Sequence, residues 1–215
     1  MLTIDELAFQ RVAKCLFQNN ALKVDFDNHY VLGGQIKTPL YIDGGALISN
    51  VDSRVRISDS VTFWINQLNY DVDAVVAVAS GGIPFATAVA NSKLIPLLYA
   101  SAKPKDHGLF NQIVGDLPKD GARVVVVDNV IKTGNSAMSV VEALRRGKNG
   151  KKAEVVGVYG VFDWDLPSEN KRFEENNVAK HSLVTVKSLL AYGIENDFLS
   201  KEDVNRIMDY YNKLP

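Results

Sequence analysis

The chain is poor in everything that could stabilise or anchor it from outside a folded core. It has one cysteine, Cys15, in 215 residues. No intramolecular disulfide can form, and neither cysteine nor histidine falls at zinc-ligand spacing, so no protein-held metal site is expected. No run reaches the ~20 apolar residues of a membrane helix. The opening Met1-Leu2-Thr3-Ile4-Asp5-Glu6 carries no basic stretch followed by an apolar one, which predicts no signal peptide and a cytoplasmic protein. An excess of either charge is missing too: 24 Lys and Arg stand against 25 Asp and Glu, a net charge of −1. That balance argues against a nucleic-acid or membrane partner, so any anion must be bound locally. No repeat, low-complexity tract or linker divides the chain. A single domain over residues 1–215 is expected, with residues 1–50 as an N-terminal cap region.

What is present is a core. Hydrophobic residues make up 47% and charged residues 23%, as in ordinary globular domains. Two β-branched runs, Ala74 to Ala79 and Arg123 to Val127, are apolar on both faces, and Val155 to Phe162 and Leu183 to Val186 have the same character. Such strands belong to a parallel sheet covered by helices. Helical spacing falls between them: Val61, Ile65 and Leu68, then Ala137, Val141 and Leu144 behind Ser136 as a candidate cap. The expected fold is α/β, an open, mainly parallel sheet flanked by helices. Earlier residues differ, with a helix near Glu6 to Asn19, a turn-rich stretch at Tyr30 to Gln35, and Leu40 to Gly45. The segment Ala100 to Asp116 lacks periodicity and reads as a functional loop. Cys15 reads as core, His29 and His181 as structural, and Arg145-Arg146-Gly147-Lys148 as a basic complement to a helix C-terminus.

The most informative stretch follows the strand ending at Val127: Asp128-Asn129-Val130-Ile131-Lys132-Thr133-Gly134-Asn135-Ser136. In an open α/β sheet, ligands bind at the carboxyl ends of strands, where backbone N–H groups and a helix N-terminus attract anions. Gly134 allows the tight turn, while Thr133, Asn135 and Ser136 offer donors to phosphate oxygens. Asp128, just ahead, is placed to accept hydrogen bonds from ribose hydroxyls. The plainer reading is a helix entered through an ordinary Asp/Asn/Gly turn. Neither a Walker A loop nor G-x-G-x-x-G is present.

This constellation resembles the phosphoribosyl-diphosphate motif of the type I phosphoribosyltransferases, and three further segments narrow the resemblance to orotate phosphoribosyltransferases. Lys103-Pro104-Lys105-Asp106-His107-Gly108 is similar to that family's catalytic loop. Ser80-Gly81-Gly82-Ile83-Pro84 resembles its diphosphate-binding turn. Thr38 to Asp43, with Tyr41 and Ile42, resembles its base-binding strand. The resemblance runs in order from about residue 30 through Lys187 to Tyr192. It implies transfer of phosphoribosyl from phosphoribosyl diphosphate to a pyrimidine base, orotate, giving a nucleoside 5′-monophosphate. It also implies Mg2+ bound mainly through the diphosphate, Lys105, His107 and Asp128 as catalytic residues with Lys103 beside them, and a homodimer whose loop closes over the neighbouring site.

Four positions depart from the family pattern. Asn129 stands where a second acid is usual, Ser101-Ala102 where an Arg-Lys pair is, Gly33 where a lysine is, and Asp163-Trp164 where an Asp-Arg pair meets the orotate carboxylate. Trp164 is then expected to offer a stacking surface to a base. The departures keep a second reading open, a catalytically impaired protein of the same fold that senses a nucleotide. A third, a structural domain without a nucleotide, leaves the Thr133 to Ser136 loop unexplained.

Overall fold

The computed structural model describes residues 3–32, 36–67, 71–102 and 112–214. It opens with α1 (Ile4–Gln18), entered through a capping box: the Thr3 hydroxyl accepts from the Glu6 N–H, and the Glu6 carboxylate from the Thr3 N–H. Short strands β1 (Leu22–Val24), β2 (Tyr30–Leu32), β3 (Ile36–Thr38) and β4 (Leu40–Ile42) pair antiparallel, β1 with β4 and β2 with β3. Helices α2 (Gly44–Ser49) and α3 (Val51–Asn66) lead to the main sheet. There β5 (Ala74–Val78), α4 (Ile83–Lys93), β6 (Leu97–Ala100) and β7 (Ile113–Val114) precede β8 (Ala122–Ile131) and α5 (Asn135–Arg146). Then come β9 (Ala153–Asp163), α6 (Pro167–Glu175), β10 (Lys180–Thr185), α7 (Val186–Glu195) and α8 (Lys201–Tyr211).

The main sheet runs β10-β9-β8-β5-β6-β7. Every neighbouring pair is parallel except β6 with β7. The pleat explains the unbroken apolar runs, because alternate residues point to opposite faces and both faces are covered. Val75, Ala77, Val125 and Val127 pack with α1, α3, α4 and α7, whereas Ala74, Val76, Val124 and Val126 pack with α5. Cys15 is 3% exposed and belongs to the first of these layers, as read from the sequence. So do Val12 and Leu16 of α1, so the N-terminal helix shares the core of the sheet.

Two local expectations change. Helix α5 begins at Asn135 with Gly134 as its cap, not behind Ser136, because Gly134 supplies the left-handed φ of +70° that turns the strand into the helix. The segment Ala100 to Asp116 does not stay a loop to its end, since Ile113–Val114 returns antiparallel to Tyr99–Ala100; residues 103–111 lie outside those described. The basic run lies where it was expected, with Arg145 and Arg146 in the last turn of α5, and it also ties chain segments together: Arg145 donates to the carbonyls of Asn176 and Asn177, and Lys148 to that of Gly115.

Candidate active site

The order of the sheet reverses between its two central strands. From β5 the chain steps outward to β6, and from β8 it steps the other way to β9 and β10. Crevices form at such switch points, at the carboxyl ends of the strands. Each central strand here runs through a glycine turn into a helix, β5 into α4 with Gly82 as cap and β8 into α5 with Gly134 as cap. Neither cap donates or accepts through a side chain. The start of α5 therefore offers its first-turn N–H groups, whereas at α4 the Ile83 N–H donates to Ser80 O at 3.3 Å and Pro84 has no N–H; each helix start carries a partial positive charge.

Close approach dictates the residue types around these turns. Asn129 reaches between two glycines, and a Cβ on either Gly44 or Gly81 would collide with its amide. The Asn129 side chain thus joins the turn after β5 to the start of α2. At Gly134 a Cβ would stand 2.8 Å from Phe173 Cε2 and 3.2 Å from Glu169 Cγ, so α6 forms the back wall of the loop.

Between the turns lies a cavity of about 580 Å³. Its floor carries Asp128, 5% exposed, whose Oδ1 accepts from the Asn129 N–H at 2.8 Å. Burial pushes the Asp128 carboxyl up to about 7, against the lowering effect of the Asn129 and Val130 N–H groups and of Lys132. On the N-terminal side, Asp43 caps α2 by accepting from Gly45 N–H at 3.0 Å and Ala46 N–H at 3.4 Å. Tyr41 stacks on Tyr30 with centroids 5.2 Å apart. The Lys132 ammonium sits 5.3 Å from the Tyr41 ring centroid. Among the described residues lining the cavity, Lys132 is the one cation.

Of the residues singled out from sequence, Tyr41, Ile42, Ser80, Gly81, Asp128, Asn129, Thr133, Gly134, Asn135 and Ser136 all line this cavity. Gly82 does not, lying one step behind as the cap of α4. Lys103, Lys105, His107 and Gly33 fall outside the described residues. Trp164 is a correction. It is fully buried, its ring meets Phe162 edge-on at 6.4 Å in the core, and it does not line the cavity, so it presents no face to a base. Its backbone N–H donates to Ile131 O and its carbonyl accepts from the Tyr211 hydroxyl, which hold the residue inward. Sequence reasoning passed over Lys132 and Asp43 as site residues, although both sat inside motifs it had quoted. Their signal was charge: an acid and a base in otherwise small or apolar turns.

The chain is similar to known proteins along most of its length. A family model described as "Phosphoribosyl transferase domain" matches residues 48–180. The orotate phosphoribosyltransferase of Staphylococcus saprophyticus is 30% identical over 203 residues, 94% of this chain and 98% of the relative. That of Phocaeicola vulgatus is 30% identical over 215 residues, 100% of this chain and 97% of the relative. Among solved structures, orotate phosphoribosyltransferase from Aeropyrum pernix superposes with a TM-score of 0.70 at 28% identity, covering 88% of this chain and 99% of that one. Leishmania donovani UMP synthase shares the fold, with a TM-score of 0.78 at 20% identity over 97% of this chain, which spans 43% of that longer one. Uncapped helix starts at a switch point, a carboxylate ahead of the second and relatives aligned from end to end agree: the chain belongs to the orotate phosphoribosyltransferases of the phosphoribosyl transferase domain family.

Proposed function

We propose that this protein transfers the phosphoribosyl group of phosphoribosyl diphosphate to orotate, releasing diphosphate and orotidine 5′-monophosphate. The observation that carries the reading is the uncapped start of α5, opening into the cavity immediately after the buried Asp128. The N–H groups following Gly134, with the Thr133 and Ser136 hydroxyls, form a cradle for a 5′-phosphate. Asp128 then accepts from the ribose hydroxyls and fixes the sugar. The turn at Ser80 and Gly81, before the second uncapped helix, receives the diphosphate. A pyrimidine lies on the Tyr41 side, beneath the Lys132 ammonium.

In the reaction the ring nitrogen of orotate, having lost its proton, bonds to the anomeric carbon while the bond from that carbon to the diphosphate oxygen breaks. The chain's work is to orient the two reactants and to stabilise charge arriving on the diphosphate. Lys103, Lys105 and His107, which lie outside the described residues, are assigned to that charge by the family resemblance. Among the described residues no group of three acidic, histidine or cysteine side chains could hold a metal. One or two carboxylates with substrate phosphate oxygens is an ordinary Mg2+ donor set, so Asp128 with the diphosphate suits the ion. When bound, Mg2+ would neutralise diphosphate charge. The same reading carries a homodimer, a cytoplasmic setting, and the whole chain acting as one domain.

The test is the fall in orotate absorbance when purified protein meets Mg2+, phosphoribosyl diphosphate and orotate. No change at high protein concentration, together with calorimetric binding of orotidine 5′-monophosphate, would leave a nucleotide-binding protein in place of the enzyme.

A further inference from the structure

Behind the phosphate loop, outside the cavity, lies a cluster of buried charge. Lys180, the first residue of β10, has a side chain only 12% exposed, with Nζ 2.6 Å from Asp163 Oδ2 and 2.8 Å from Glu169 Oε1. Asp165 Oδ1 stands further off, at 3.6 Å. Asp163 is 1% exposed and Glu169 0%. Asp163 is satisfied on both oxygens: the Ser182 hydroxyl donates at 2.7 Å and the Asp165 N–H at 2.8 Å. One ammonium balances one buried carboxylate, and a second ionised one would be left uncompensated. Burial first, and then the facing Asp163 carboxylate, push the Glu169 acid above the usual carboxylic range, against the lowering effect of Lys180.

The cluster joins three consecutive elements: the end of β9, the first turn of α6 and the start of β10. Its outer face is the loop. Glu169 and Phe173, one helical turn apart on α6, are the two side chains against which Gly134 packs. The Trp164 N–H, donating to Ile131 O at 2.9 Å, fastens the end of β9 to the end of β8 on the same side. Asp163, Glu169 and Lys180 themselves do not line the cavity.

We propose that the Asp163–Lys180–Glu169 cluster positions the 5′-phosphate loop: Lys180 pins the first turn of α6 to the end of β9 and the start of β10, and α6 holds Gly134 where the N–H groups after it meet the phosphate. Glu169 and Lys180 are positioning residues, since they act on substrate only through Gly134. The proposal rests on reading the loop as the 5′-phosphate site.

Full-length wild type, Glu169→Asp and Glu169→Gln are compared for KM of each substrate, kcat, orotidine 5′-monophosphate affinity by calorimetry, and thermal unfolding. Shortening the acid withdraws it from both Lys180 and Gly134. Glu169→Asp should weaken phosphoribosyl diphosphate and orotidine 5′-monophosphate about tenfold, with kcat and the KM for orotate unchanged. Glu169→Gln, which keeps the length of the side chain against Gly134, should restore both affinities. Equal loss for all substrates, or a lower unfolding temperature with every affinity intact, would overturn the proposal by showing a purely structural cluster. If Glu169→Asp does not fold, Phe173→Leu, which draws the ring back from Gly134, must show the same selective loss. Failure of the wild type to bind orotidine 5′-monophosphate at all would instead remove the reading of the loop itself.

Discussion

Replacing Asp128 by Asn should make the protein more stable and less active, and the gain in stability should depend on pH. An aspartate in an unfolded chain loses its proton near 3.8, whereas burial holds the proton on folded Asp128 to about 7. Between those values the native state binds more protons than the unfolded one, so stability falls as pH rises, and above about 7 the whole penalty has been incurred. The gap of roughly three pH units corresponds to at most about 4 kcal/mol. Asn is isosteric, its oxygen can keep the bond from the Asn129 N–H, and it does not ionise. Urea unfolding of Asp128→Asn should match wild type near pH 4 and exceed it increasingly up to pH 8, with most of the difference arising between pH 5 and 7. Turnover should move the other way, because losing a charge-assisted hydrogen bond to the ribose costs about 1.5–3 kcal/mol, or roughly ten- to a hundredfold in kcat/KM. A variant with the same pH slope of stability as wild type would refute the account of Asp128 as a buried acid strained by ionisation.

Other consequences are measurable separately. Lys132→Met keeps the aliphatic stem over Tyr41 and removes the cavity's described cation; the KM for orotate should rise about tenfold, while the unfolding midpoint stays within a degree or two. Gly134→Ala should destabilise by about 1–2 kcal/mol and weaken orotidine 5′-monophosphate in calorimetry, because the added methyl meets Phe173 at 2.8 Å in a backbone with φ of +70°. Leu94 ends α4 at φ of 54° with 91% of its surface in solvent, so Leu94→Gly loses no packing and relieves a left-handed conformation. Urea unfolding should show a gain of about 0.5–1 kcal/mol for that change.

The parts of the molecule that were legible in the sequence are those set by short-range chemistry. Runs such as Val124 to Val127 are doubly apolar because the sheet is covered on both faces, and the turn at Thr133-Gly134 follows from backbone needs within a few residues. Trp164 was misplaced by attending to residue type rather than direction. Val161, Phe162 and Trp164 all enter the same core layer, so period-two alternation breaks at the end of β9 and could not have shown that Trp164 turns inward. Lys132 was hidden in a loop understood through its backbone. The Lys180 cluster had no sequence signal, because its members come from β9, α6 and β10 and meet only when the parallel strands pair.

The central pairing of β5 with β8 also bears on how the site opens and closes. Val75 lies opposite Val125, and the amides of both strands are enclosed by neighbours on either side. Amide hydrogens on these strands should exchange with solvent only when the whole molecule unfolds, while those of α2 and the β2–β3 hairpin exchange through local opening. The phosphate and diphosphate turns are thus mounted on the slowest-exchanging part of the chain, and the base-side wall on one of the fastest. Breathing of the empty protein would then admit and release the base while the anchorage for the sugar phosphate stays in place.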